Sequence, residues 1–221
     1  MQIDAELLPV GWLWTSRIIA LVFIALAGRG MDWKGLLRDS STLHRFAACT
    51  VALLVLWSIR ATVAQGPGLH ILGVTTVTLV LGPAAALIAT LIAESVTGLG
   101  MKADSALAAS WLAGSVLPVA TTELVRRLVR RKLPPDPFSF IFGAGFFGAV
   151  AATATAHLVT FLMVGAPDAV WSGAVPSWPS FFLLIAFPEA FINGCVITML
   201  VVYCPQRMVG YDAIYRHDRP R

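Results

Sequence analysis

The sequence predicts an all-α, polytopic helical membrane protein, and three observations carry that prediction. Of its 221 residues, 57% are hydrophobic and only 13% are charged, with a mean hydropathy of +0.79. A soluble domain carries roughly twice that density of charge. The charges cluster between long uncharged runs instead of being spread along amphipathic helices. Several of those runs approach or exceed the roughly 20 residues that a tilted helix needs to cross a bilayer.

In chain order the clear spanning candidates are 11–28, 46–64, 105–125, 138–164 and 178–203. The first ends in "ALA" at 25–27, which resembles a leader cleavage site. Its flank is wrong for a leader: Asp4 and Glu6 make it acidic, and Arg17 lies inside the apolar run, so the N-terminus is expected to stay in the mature protein. Basic residues mark one side of the membrane: Arg29, Lys34, Arg38 and Arg45, then "RRLVRRK" at 126–132, then Arg207, Arg216, Arg219 and Arg221. The positive-inside bias makes that side cytoplasmic, and it puts the acidic N-terminus and the 165–178 loop, with only Asp168, outside. A multi-pass protein of the cell (inner) membrane follows, in contact with membrane lipid. It has a single membrane domain over 1–205, with 206–221 as a short cytoplasmic tail.

The stretch 69–98 is settled by parity. The chain is outside near Gly66 and must be inside at Arg126, which takes an odd number of crossings, yet 69–98 and 105–125 look like two. The segment 69–98 must therefore enter and return, either as a pair of short helices or as a re-entrant hairpin, broken at Gly82-Pro83 with the proline opening the second half. Non-helical backbone at membrane depth has to be covered by protein, so Gly82 should be buried against other helices. His70, in "GLHILGVTTVTLVLGP" at 68–83, then stands at the outer mouth of this segment.

Several chemistries are excluded. The net charge of +4 comes from short basic blocks flanking apolar runs, which membrane topology explains without nucleic acid. Cys49, Cys195 and Cys204 lie in or at the edge of apolar runs with no CxxC, and read as small apolar side chains. "GAGFFG" at 143–148 matches G-x-G-x-x-G but sits inside a spanning run with no preceding strand. It reads as packing, since Gly145 with Ala149 and Gly148 with Ala152 place small residues four apart. No phosphate-binding P-loop, HExxH or GxSxG occurs, so the chain is not expected to be an enzyme and any ATP hydrolysis belongs to a partner.

Two polar groups remain. Glu189 follows Pro188 near the middle of the last run, with Asn193 one turn on and His157 on the preceding helix as its expected partner. A carboxylate at that depth marks either a hydrogen-bonded structural pair or a proton or ion relay. Glu94 fits a water-facing helix end or a cavity lining; Arg17 and Arg60 are placed to snorkel, and His44 lies in the charged loop. His70 is either an interfacial side chain or a ligand for nickel, cobalt or zinc. The nearest further donors are in "MQIDAELLP": the α-amine, Gln2, Asp4 and Glu6.

"ELLPVGWLW", "LHILGVTTVTLVLGPAAALI" and "FPEAFINGCVITMLVVYCP" occur in an order that resembles the membrane-embedded substrate-capture subunits of cobalt and nickel energy-coupling-factor transporters, the CbiM/NikM family. The resemblance runs from Met1 to Pro205. It implies a substrate-binding component of a transition-metal uptake transporter. Its cargo would be a divalent cobalt or nickel ion rather than a resident cofactor, and its partners a transmembrane coupling subunit and ABC-type ATPases. It also implies a nitrogen-rich metal site built from the N-terminal amine, a position-2 histidine and the histidine of the "HLLG" run. Met1 and His70 match that pattern, whereas Gln2 stands where the family has histidine. Loss of that imidazole implies weaker affinity or a changed metal. The alternative is a CbiM-like protein that has lost metal binding and handles another small substrate or serves as a non-transporting membrane partner.

Overall fold

The computed structural model describes residues 2–62, 68–98, 106–164, 181–209 and 211. Met1, Gly66, the 165–178 loop, Arg216, Arg219 and Arg221 lie outside the described residues. The architecture is all-α. The helices are α1 (Val10–Gly30), α2 (Trp33–Arg38), α3 (Ser40–Ser58), α4 (Val74–Leu81), α5 (Pro83–Gly98), α6 (Leu107–Lys132), α7 (Ser139–Val164) and α8 (Phe181–Tyr203). A two-stranded ribbon, β1 (Ala61–Thr62) and β2 (Gly68–Leu69), joins α3 to α4. Five helices, α1, α3, α6, α7 and α8, are long and apolar enough to cross a membrane, one for each spanning run of the sequence.

Lipid is the solvent that this surface fits. Ile18, Leu21, Val55, Leu158, Leu162, Phe187 and Val202 are each more than half exposed, which would be a large apolar patch in water. Small residues allow several close helix approaches inside the bundle. Helix α1 turns Ala20 and Ala27 inward, and its Gly30 leaves only 3.3 Å between a built Cβ and Ala84 of α5. Gly145 packs on Ile197 of α8 and Gly143 on Val129 of α6, so the "GAGFFG" stretch is a helix-packing surface inside α7. In α6 the backbone widens to i→i+5 bonding over Leu112–Val116, just before Pro118, whose ring cannot donate to the ladder.

The stretch 69–98 is a pair of short helices that enters and returns. Helix α4 has eight residues, about 12 Å at 1.5 Å per residue, and α5 has sixteen, about 24 Å. They meet at Gly82, which lines a cavity with Gly30, Met31, Asp32, Arg45 and Val209 at the end of the bundle where the basic residues gather. Gly82 is buried: Val209 donates its N–H to the Val80 carbonyl at 3.3 Å, and Arg45 donates to the Arg207 carbonyl at 3.2 Å. Met208 and Tyr211 pack with Leu79 and Phe140 in the same region. The turn that parity requires is therefore roofed by the segment after α8.

Asp39 caps α3 by accepting from Ser41 N at 3.0 Å and Thr42 N at 3.1 Å. Bonds from Thr42 and Ser41 hold its carboxyl below the usual aspartate range, so this cap is intact at neutral pH and lost as pH falls through that lowered value.

Gly82 has φ +83° and ψ 163°, a region essentially reserved for glycine. Gly82→Ala is expected to destabilise the fold by about 1–3 kcal/mol and to lower the thermal midpoint of the detergent-solubilised protein followed by tryptophan fluorescence. An unchanged midpoint would show that the helix break tolerates a side chain.

Candidate functional site

The N-terminal residues come first, because the fold builds them into the site. Gln2 pairs antiparallel with Gly68, donating at 3.2 Å and accepting at 2.9 Å. Gly68 also pairs with Thr62 across the ribbon, so three extended segments lie side by side. Ile3 then turns inward. Its N–H donates to Ser110 Oγ at 2.9 Å, and its side chain is fully buried with Leu8, Ala109, Ala113 and Met163. Asp4 and Glu6, the acidic candidates, are exposed.

His70 follows two residues after Gly68 and is 9% exposed. Its Nδ1 lies 3.1 Å from the Ile71 carbonyl, and its ring centroid lies 5.1 Å from that of Trp57. A carbonyl can only accept, so this bond puts the proton on Nδ1 and the lone pair on Nε2, the tautomer suited to coordinating a metal through Nε2. Among the described residues no three of His, Cys, Asp and Glu gather as a metal site.

Just past His70 the chain makes its main long-range contact. Glu189 accepts from the N–H groups of Leu72 at 2.6 Å and Gly73 at 2.8 Å, and from Asn193 Nδ2 at 2.8 Å. Asn193 Oδ1 accepts from Thr76 N at 2.9 Å and Thr76 Oγ1 at 2.7 Å. Both side chains are 1% exposed. The first N–H groups of a helix have no intrahelical acceptor, and a carboxylate also suits the positive end of the helix dipole. Glu189 and Asn193 are thus a cap for α4 delivered by α8. Gly73 makes the cap possible by adopting φ +65°, where a Cβ would also meet Leu56 at 2.9 Å. Trp57 completes the clamp by donating to the Leu72 carbonyl at 2.9 Å.

This geometry corrects the expected pairing of Glu189 with His157. Glu189 turns to α4, where unsatisfied amides are concentrated, while His157 Nδ1 sits 2.9 Å from the Thr153 carbonyl and its ring lies edge-on to Phe182. Arg60 is bonded within the protein. Its guanidinium donates to the Trp57 carbonyl at 2.9 Å, to the Thr97 carbonyl at 3.1 Å and to Gln2 Oε1. Arg17 lies over the Trp14 ring, 5.0 Å from its centroid. Glu94 is buried on α5, one turn before Thr97.

The family model for the cobalt uptake substrate-specific transmembrane region, CbiM, matches residues 2–207. The chain belongs to the CbiM family. Two solved structures share the fold at 19% identity and a TM-score of 0.71, one titled a truncated transition metal transporter and the other a transition metal transporter. The first covers 92% of this chain and 99% of its own, the second 91% and 93%. No curated protein matches the chain. As a CbiM protein it is a transporter component and a multi-pass membrane protein. The sequence singles out His70, Gln2, Glu189 and Asn193; the structure adds Ser110 and Thr76 as hydrogen-bond partners in the same region and gives Arg60 protein acceptors that the sequence does not reveal. The one available signal for Arg60 was a lone arginine directly after a spanning run, which is equally the signature of snorkelling.

Removing the cap should be felt strongly. Glu189→Ala leaves the Leu72 and Gly73 N–H groups without their acceptor, at about 1–3 kcal/mol for each buried group, and Asn193→Ala takes the acceptor from one main-chain N–H, that of Thr76, and from the Thr76 hydroxyl. Thermal midpoints should fall in the order Glu189→Ala, then Asn193→Ala, with His157→Ala closest to the parent. A Glu189→Ala protein that melts with the parent would refute the capping role.

Proposed function

We propose that this CbiM protein captures a divalent cobalt or nickel ion at the end of the bundle where the N-terminus meets His70, with Met1, Gln2 and His70 as its ligands. The observation that carries the reading is the antiparallel pairing of Gln2 with Gly68. It brings the second residue of the chain beside a strand whose next turn holds a buried imidazole with its Nδ1 on the Ile71 carbonyl. Main-chain and terminal nitrogens with an imidazole form a donor set of the kind that cobalt and nickel favour.

The basic residues Arg29, Lys34, Arg38, Arg45, Arg130, Arg131 and Lys132 support a cytoplasmic assignment for the opposite end. That leaves the N-terminus and His70 facing outward in the cell (inner) membrane. With no nucleotide motif in the sequence, uptake would depend on a transmembrane coupling subunit and separate ABC-type ATPases. The protein itself performs no hydrolysis in this scheme.

One observation favours a second reading. Gln2 is bonded to Arg60, so a cation already lies at the ligand position where the family pattern has an imidazole. A CbiM protein altered in this way would bind the usual metals weakly or handle another small substrate.

The deciding experiment is calorimetric titration of the detergent-purified protein, with a native untagged N-terminus, against cobalt and nickel in turn. Saturable binding to the parent that is lost in His70→Ala is the expected result. Binding that survives His70→Ala would remove His70 from the site, and no binding of either metal by the parent would favour the second reading.

A further inference from the structure

Arg60 is the group that the metal-capture reading does not use. It lies after α3 and spends its donors on three different parts of the fold: the Trp57 carbonyl at the end of α3, the Thr97 carbonyl at the end of α5, and the Gln2 amide oxygen on the N-terminal strand. Trp57 in turn faces His70 and holds the Leu72 carbonyl. Arg60 is thus bonded to the helix whose Trp57 packs on His70 and to the strand that pairs with Gly68, and its charge acts on both His70 and Glu94. A guanidinium keeps its charge at any pH a protein meets.

Two consequences follow from that placement. The first is mechanical. Gln2 is held by two backbone bonds to Gly68 and one side-chain bond to Arg60, and Ile3 is locked behind it by Ser110. The N-terminal strand is therefore fastened to the ribbon, to Arg60 and to α6 by the protein's own groups. The second is electrostatic. A divalent ion held by His70 would meet the fixed positive charge of Arg60, which already acts on the buried His70 ring, and like charges repel.

We propose that Arg60 is a specificity-determining residue of the capture site, a built-in cation that latches the N-terminal strand shut through Gln2 and weakens the binding of divalent ions. The inference rests on the metal-capture reading for its second half only. A histidine at position 2 would offer the metal a nitrogen; the glutamine here offers an acceptor to the arginine.

The test uses the full chain in detergent with Cys49, Cys195 and Cys204 replaced by serine and with Ile3→Cys as a reporter. In chelator, this buried thiol should react slowly with a maleimide in the parent background and at least about tenfold faster with Arg60→Met. Gln2→Met, which removes only the acceptor, should speed labelling in the same direction and guards against a folding defect in the arginine variant. Without the reporter, Arg60→Met should bind cobalt at least about tenfold more tightly than the parent, while Arg60→Lys, which keeps the charge, should not. Labelling that is already fast in the parent, or unchanged by both substitutions, overturns the latch. Cobalt affinity that is unchanged or weaker in Arg60→Met overturns the electrostatic role. Adding His70→Ala to Arg60→Met separates the two ideas: cobalt binding that persists there refutes capture at His70, whereas the labelling result still decides the latch.

Discussion

Helix α4 cannot complete its own hydrogen bonds, and the way the fold solves this governs the rest of the molecule. With eight residues it has nearly as many unsatisfied terminal groups as internal ones, and it lies where no water is available to satisfy them. Glu189 and Asn193 supply the acceptors from a helix more than a hundred residues away in sequence. Because these bonds go to the main chain of Leu72, Gly73 and Thr76, they fix the backbone immediately after His70 rather than any one side chain. The position of the imidazole is therefore tied to α8 as firmly as to its own neighbours.

The other end of α4 is handled differently. Gly82 breaks the helix in a conformation open only to glycine, Pro83 starts α5, and Val209 closes over the turn by bonding the Val80 carbonyl. Both ends of this short helix are thus held by the C-terminal part of the chain, one by α8 and one by the residues that follow it. The result is a short helix fastened at both of its ends.

At the His70 end the N-terminus behaves as a structural element. It forms a strand edge at Gln2, buries Ile3 in the core and uses Ser110 of α6 as an anchor. Extended backbone needs a partner strand, and the short ribbon after α3 provides one. Arg60 ties that edge to two helix ends at once. The CbiM fold here brings together the N-terminal main chain, one imidazole and one guanidinium.

Much of this was legible beforehand, for a reason that is local. Hydropathy marks each spanning helix because lipid acts on every residue of the run, and the basic blocks distinguish the two ends. The return path of 69–98 followed from counting crossings, and its breaking point from Gly82-Pro83. His70, Glu189 and Asn193 stood out because polar groups in apolar runs need a reason to be there. What only the tertiary structure decided was the partner of each. Glu189 meets backbone amides, and an amide has no letter in a sequence, so a histidine on the neighbouring helix was the visible but wrong choice. Arg60 was read as an interfacial side chain because its acceptors are two carbonyls and the amide oxygen of Gln2, brought to it from three separate segments. Composition and periodicity determined where the helices run; the hydrogen bonds that place the site join main-chain groups far apart in sequence, and those come together only once the bundle has formed.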